Sequence, residues 1–293
     1  MKNKNTILYL LVSLIWGTTW LVIKYQIENT GVVAGVFYRF FISAIILFIL
    51  NYFLKNKLTY QFKIHRFFIL QGIFNFSINY ILTYLSERYV SSAFIALTFT
   101  TLIYFNMLGL YIFYQKKIEA SAILGTIIGG IGIFLIFSKQ ILNVNLNQTE
   151  LNGIIIGIVA TLSASLGNMA SIKNHQAKIP VLVFNAWAML YGSIFSLIVG
   201  VILRESFTFN ANIAFFSSLF YLSVFGTVIA FYAYQTLIIE IGAHKAAYTS
   251  IISPIIAVFV SMMFENFILT KVIFLGMAFA IFGNYLVLKR RVN

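Results

Sequence analysis

The chain has 293 residues, of which 61% are hydrophobic and 9% are charged, whereas soluble domains carry about 25% charged residues. This composition excludes a soluble globular protein and indicates an integral membrane protein. The net charge of +13 does not indicate nucleic-acid binding, because the basic residues lie in short loops between apolar stretches. The sequence contains no cysteine, which excludes disulfides and thiolate chemistry.

Ten apolar stretches follow one another along the chain, and each is about long enough for a bilayer-spanning helix of ~20 residues. In chain order they run Thr6–Ile23, Val32–Leu54, Phe67–Ser86, Tyr89–Gln115, Ala120–Ser138, Leu151–Ile172, Ile179–Leu203, Phe207–Ile239, Ala246–Phe264 and Val272–Leu288. The eighth is longer than a span requires and is expected to include interfacial loop. The sequence therefore predicts an all-α protein with ten transmembrane helices.

Basic residues alternate between the two sides of these spans. With the N-terminus in the cytoplasm, fourteen loop lysines and arginines lie inside and five outside, the five being Lys24, Arg88, Lys139, Arg204 and Lys271. Such a bias over short loops predicts that both termini are cytoplasmic. The composition is typical of a bacterial protein, so we expect a multi-pass protein of the plasma membrane, the bacterial inner membrane.

The two halves of the sequence resemble each other. A shift of 151 residues places Ala96 on Ala247, Gly125 on Gly276 and Gly132 on Gly283. Near the start of each half, a shift of 149 places Trp16 on Ser165. Chance similarity of apolar helices is the alternative, but the constant offset favours duplication.

Five spans in each half would invert the second half in the membrane, because the number is odd. We expect one five-helix repeat over residues 1–142 and a second, inverted one over 143–293. Inverted repeats are typical of secondary transporters, which bind substrate near the midplane between the repeats.

Several short motifs resemble those of EamA-type members of the drug/metabolite transporter superfamily. They are Leu14-Ile15-Trp16-Gly17-Thr18-Thr19-Trp20, Arg39-Phe40, Gly242-Ala243, Ala246-Ala247, Ser253-Pro254, Glu265, Leu275-Gly276 and Gly283. The first half departs from a duplicated pattern, with Tyr114 and Ile103 where Glu and Pro would mirror Glu265 and Pro254. The resemblance implies a carrier of small metabolites, often amino acids, often exported.

Polar residues on two spans are candidates for a substrate-binding cavity. Span 3 carries Gln71, Asn75, Asn79 and Thr83 on one helix face, and span 6 carries Thr161, Ser165 and Asn168. Amides within hydrocarbon need partners, so these faces either line a cavity or bond to neighbouring helices. We expect Asn75, Asn79, Ser165 and Asn168 to line the cavity, together with Thr98 of span 4.

Aromatic residues are candidates for the apolar wall of the same cavity. Trp16, Trp187 and Tyr248 are the preferred ones, because aromatic rings suit an amphipathic or zwitterionic substrate. Ordinary packing is the alternative for each of them.

Three residues are candidates for gating. Arg39 is the only charged residue inside a span. It either acts as a gate or as a ligand for a substrate carboxylate, or it has a structural role, in which it caps carbonyls or pairs with Glu265 or Glu28. Glu265 is the best candidate for proton coupling, although facilitated diffusion and exchange remain open. Pro254 interrupts span 9 and is a candidate hinge.

These observations predict a secondary transporter that exports small organic metabolites by alternating access through a central cavity. Uptake or exchange of a nucleotide-like or other host-derived metabolite is the alternative, with a membrane-embedded enzyme or a channel as more distant ones. His65, His175 and His244 are scattered, so no metal or cofactor is expected. A small-molecule substrate and lipid are the expected partners, for either a monomer or a homodimer.

Overall fold

The computed structural model describes residues 3–142, 148–234, 236, 237, 240 and 249–288. Within these ranges the chain is helical and forms no strand. The helices are α1 (Asn3–Ile27), α2 (Val32–Phe53), α3 (Phe62–Ser86), α4 (Ser92–Tyr114), α5 (Ala120–Leu142), α6 (Gln148–Gln176), α7 (Val181–Ile202), α8 (Ile213–Tyr234), α9 (Thr249–Phe264) and α10 (Lys271–Leu288).

The first eight helices are long and apolar enough to cross a membrane, whereas α9 and α10 are shorter apolar helices among the described residues. The all-α class of membrane protein is therefore confirmed. The eighth apolar stretch does include loop, since α8 begins at Ile213 and Phe207 lies before it.

The backbone repeats the two offsets found in the sequence. Helices α2 and α7 begin and end 149 residues apart, at Val32 and Val181 and at Phe53 and Ile202. The left-handed residues that follow them, Lys55 and Arg204 with φ of 55° and 53°, are also 149 apart. Gln115 and Asn266 are left-handed too, both with φ of 53°, at an offset of 151.

Both α3 and α8 contain a π-helical segment at the corresponding place. These segments are Gly72–Ile78 and Tyr221–Ile229, and they begin 149 residues apart. A π-helical turn widens the helix and leaves carbonyl groups available to side chains, and such turns occur frequently at functional sites.

Helices α5 and α10 are equivalent in the two halves, and they pack against each other through glycines. A Cβ built on Gly125 would lie 2.5 Å from the carbonyl oxygen of Gly283, and one on Gly132 would lie 2.6 Å from that of Gly276. Early residues of α5 thus meet late residues of α10, so the helices are antiparallel. The two contacts exchange equivalent residues, which is the pattern of a two-fold axis.

Helices α2 and α7 are also equivalent and also antiparallel. Asn51, near the end of α2, donates to the carbonyl of Leu182 near the start of α7 at 2.9 Å. Val33, near the start of α2, lies beside Gly200 near the end of α7. The residues around this pair, from α1, α2, α3, α7 and α8, form the largest apolar core cluster of the described chain.

The glycine contact between α5 and α10 can be tested with Gly283→Ala. The added methyl group would lie 2.4 Å from the backbone nitrogen of Gly129, so the helices must separate. We expect a loss of about 1–3 kcal/mol, the usual range for overpacking. Thermal unfolding of the purified protein in detergent measures this.

Gly130→Ala is the matched control, because nothing lies within 4 Å of a Cβ at that exposed position of α5. Its unfolding midpoint should equal or exceed that of the parent, because alanine favours helix over glycine. Equal midpoints for the two variants would contradict the close packing of α5 on α10.

Candidate functional site

Three asparagines form a hydrogen-bonded row across three helices. The Asn75 side chain in α3 donates to the Oδ1 of Asn168 in α6 at 3.2 Å, and Asn168 donates to the Oδ1 of Asn106 in α4 at 3.3 Å. A Cβ on Gly167 would lie 2.5 Å from the Cβ of Asn75, so α6 approaches α3 closely here. The structure thus brings two predicted residues together and adds Asn106, a single amide within an apolar span.

The π-helical segment of α3 shapes the environment of Asn79. The backbone N–H of Asn79 donates to the carbonyl of Phe74, five residues back. The carbonyl of Asn75 accepts from the Asn79 side chain at 3.1 Å, and Thr83 donates to the Asn79 Oδ1 at 3.5 Å. Asn75, Asn79 and Thr83 are all buried, so this face of α3 contacts protein rather than lipid.

A second amide group lies further along the same face. Gln71 donates to the Oδ1 of Asn185 in α7 at 3.0 Å and accepts from Asn174 in α6 at 2.9 Å. All three side chains are buried. These bonds join α3, α6 and α7. Gln71 thus bonds to neighbouring helices, which is the alternative given above to lining a cavity.

Arg39 is 1% exposed and reaches across from α2 to the π-helical segment of α8. Its Nε donates to the Thr227 hydroxyl at 3.0 Å, while Nη1 and Nη2 make longer contacts of 3.4 Å with the Tyr84 hydroxyl and 3.5 Å with the Gly226 carbonyl. The guanidinium also lies over the Tyr80 ring at 4.6 Å.

No carboxylate of the described residues forms a salt bridge with Arg39. Glu265 pairs instead with Lys24 at 2.7 Å. A guanidinium carries five N–H donors, and two of the three contacts of Arg39 are long. Its charge is therefore incompletely compensated within the protein.

An aromatic row connects Trp16 with the surroundings of Arg39. The half-buried Trp16 ring contacts Tyr234 and Phe231 of α8, with centroid distances of 5.0 and 5.6 Å. Phe231 contacts Phe76 of α3 at 5.4 Å, and Phe76 contacts Phe40 at 5.3 Å. Trp16 of the first half therefore contacts α8 of the second half.

Trp187 lies in a separate aromatic group. Its Nε1 donates to the carbonyl of Leu58 at 3.0 Å, and its ring contacts His65 and Tyr191, with centroid distances of 4.8 and 5.8 Å. The structure does not bring Trp187 into contact with the row that contains Trp16.

The remaining predicted residues are placed as follows. Thr98 donates to the carbonyl of Ile95 in its own helix at 2.7 Å and lies beside Gly157 of α6. Ser165 is buried in α6, one turn before Asn168, and Pro254 is buried within α9. Tyr248 lies outside the described residues.

Glu265 belongs to a cluster of charged and polar groups at the ends of α1, α3 and α9. It accepts from Lys24, from the Ser261 hydroxyl at 2.5 Å, and from the backbone N–H of Ser92 at 3.1 Å. Glu87, which follows α3, has an oxygen 3.0 Å from the Ser92 hydroxyl. Burial raises the pKa of Glu87 well above its ordinary value, and the neighbouring Glu265 raises it further. Glu87 was not among the predicted site residues.

This architecture, a bundle of apolar helices whose polar groups pair between helices, defines a multi-pass membrane protein. The EamA-like transporter family model matches residues 4–138 and 151–289, nearly the whole chain, in two copies. The chain therefore belongs to the EamA-like transporter family, as its motifs predict.

Curated relatives are similar over most of their length. A protein named "Uncharacterized transporter" from Buchnera aphidicola subsp. Schizaphis graminum is 28% identical, over 92% of this chain and 87% of the relative. "Uncharacterized transporter YoaV" from Bacillus subtilis is 27% identical, over 85% and 84%. "Protein PagO" from Salmonella typhimurium is 26% identical, over 88% and 84%.

A solved crystal structure shares the fold, with a TM-score of 0.68, 13% identity and coverage of 98% of this chain and 96% of the other. Family and relatives together establish a membrane transporter, and they argue against an enzyme. The bacterial relatives indicate the inner membrane as its location.

Arg39→Lys tests whether the guanidinium is needed in its buried place. A single ammonium cannot reproduce contacts with Thr227, Tyr84 and Gly226 together. Hydrogen bonds to charged groups contribute about 1.5–3 kcal/mol, so we expect the free energy of unfolding to fall by about that amount. The thermal unfolding midpoint should fall with it. Arg88→Lys, at an exposed position beyond α3, should leave the midpoint unchanged. An Arg39→Lys midpoint equal to that of the parent would contradict this description.

Proposed function

We propose that this transporter is a ten-helix secondary carrier built from two inverted five-helix repeats, residues 1–142 and 143–293, with both termini in the cytoplasm. The antiparallel packing of α5 on α10 and of α2 on α7 supports the inversion. In inverted repeats each half can adopt the conformation of the other, which produces alternating access.

The observation that carries this proposal is that the candidate polar groups are bonded across the two halves. Arg39 of the first half bonds to Thr227 of the second, and Asn75 of the first half bonds to Asn168 of the second. Movement of one half against the other would break these bonds and free the same groups for a substrate.

The chemistry of these groups favours a small amphipathic or zwitterionic metabolite such as an amino acid. Arg39 would bind a carboxylate through charge-assisted hydrogen bonds, and the amides of Asn75 and Asn79 would orient the other polar atoms. Trp16 and the adjoining rings would contact the apolar part. We expect export from the cytoplasm, by a monomer or a homodimer.

A thermal-shift screen of the purified protein against amino acids, nucleosides, polyamines and organic acids would identify the substrate class. Counterflow of the stabilising compound into proteoliposomes then separates a carrier, which saturates, from a channel, which conducts in planar bilayers. Stabilisation by nucleosides alone would replace the amino-acid proposal with the nucleotide-like one.

Trp16→Ala and Asn79→Leu test the site within the same assay. Each removes a contact proposed to bind substrate, so we expect counterflow to fall by about tenfold or more, equivalent to about 1.4 kcal/mol. Phe134→Ala in α5 and Asn152→Leu in α6 are matched controls at exposed positions and should transport normally. Normal counterflow in folded Trp16→Ala and Asn79→Leu proteins would show that the site lies elsewhere.

A further inference from the structure

Lys24, Glu87, Ser92 and Glu265 form a group that we call the carboxylate latch. Lys24 is in α1, Glu87 follows α3, Ser92 begins α4, and Glu265 follows α9, so the latch joins the first half to the second. Glu87 is 2% exposed, and the side chain of Glu265 is 4% exposed. The latch is therefore buried at this end of the helix bundle, which is the predicted outer end.

The hydrogen bonds of the latch require one more proton than the ionised side chains supply. The Ser92 hydroxyl lies 3.0 Å from Oε2 of Glu87 and 3.2 Å from Oε1 of Glu265, yet it has a single hydrogen to donate. Both contacts become hydrogen bonds if Glu87 is protonated and donates to Ser92, which then donates to Glu265. Lys24 neutralises the remaining charge on Glu265.

The other oxygen of Glu87 points to the same protonation state. Its Oε1 is buried and has no hydrogen-bond partner, which would be very costly for an ionised carboxylate and far less so for a neutral acid. The titratable and charged groups that face Glu87 are Glu265, Lys24 and the Tyr84 hydroxyl. Only Lys24 is a cation, and it is already bonded to Glu265.

We propose that Glu87 is a proton-binding site, and that closure of the latch takes up a proton which opening releases. Opening separates Ser92 from Glu265 and admits water to Glu87. The carboxyl group then ionises, and its proton passes to solvent on that side.

The direction of the pH dependence follows from this difference between the two states. In the closed state the pKa of Glu87 is raised by burial and by Glu265, whereas in the open, hydrated state it returns towards the ordinary value of 4.5. Protonation therefore stabilises closure at low pH, and that stabilisation is lost as the pH rises through the raised pKa. This control of opening at the predicted outer end rests on the carrier mechanism proposed above.

The cysteine-free chain allows a direct test with Ser91→Cys as a probe. Ser91 adjoins the latch, and its hydroxyl is buried without a hydrogen-bond partner. In nanodiscs, the rate at which a maleimide labels Ser91→Cys would be divided, at each pH, by the rate for Ser91→Cys combined with Glu87→Gln. Ionisation of the thiol affects both rates equally and so cancels from this ratio. Glutamine imitates the protonated acid, because its amide can donate to Ser92.

The ratio of the two rates should be near one at low pH and should rise by up to about tenfold per pH unit until the raised pKa is passed. Glu28→Gln in place of Glu87→Gln is the matched control, at an exposed carboxylate, and should follow the parent at every pH. A ratio that does not change with pH would overturn the proposal.

Lys24→Gln provides a second variant should Glu87→Gln fail to fold. Lys24 lowers the pKa of Glu87 in the closed state, so its removal should extend the rise in labelling to higher pH. Faster labelling at every pH, without a shift of the rise, would show that Lys24 and the carboxylates act only as a structural contact. Labelling requires no substrate, so this test can fail while the proposed transport function stands, and the reverse also holds.

Discussion

The antiparallel contact between equivalent helices determines how the other parts of this protein are arranged. Gly125 meets Gly283 and Gly132 meets Gly276, so α5 and α10 approach to backbone contact along an axis that exchanges them. Helices α2 and α7 are also antiparallel, with Asn51 bonded to Leu182 and Val33 beside Gly200.

Within an apolar environment, every polar group must find a partner in the protein itself. The chain satisfies this requirement through amide rows and through hydroxyl-to-carbonyl bonds, many of which run between helices of different halves. Among the described residues, Arg39 is a buried cation that forms no salt bridge with a carboxylate, and Glu87 is a buried carboxyl with one oxygen that has no hydrogen-bond partner. Groups of this kind are costly to bury, which is why we assign them to substrate binding and to gating.

The sequence predicted the class and the family, because hydropathy and short motifs are properties of local runs of residues. It also placed Asn75 and Asn168 in one region, since a polar stripe on an apolar helix must face protein. It missed Asn106, Asn185 and Glu87, because single polar residues acquire meaning only from the helices opposite them. The π-helical segments have no sequence pattern that we could identify, and they decide which carbonyls near Asn79 and Thr227 are available.

The central claim, inversion of the two halves, is tested most directly by single cysteines at Lys55 and Arg204. These exposed residues are 149 apart, share a left-handed backbone and follow equivalent helices. A membrane-impermeant maleimide applied to intact cells should label Arg204→Cys, and it should label Lys55→Cys only after the membrane is permeabilised. Labelling of both cysteines from the same side would contradict the inverted arrangement and the transport mechanism that depends on it.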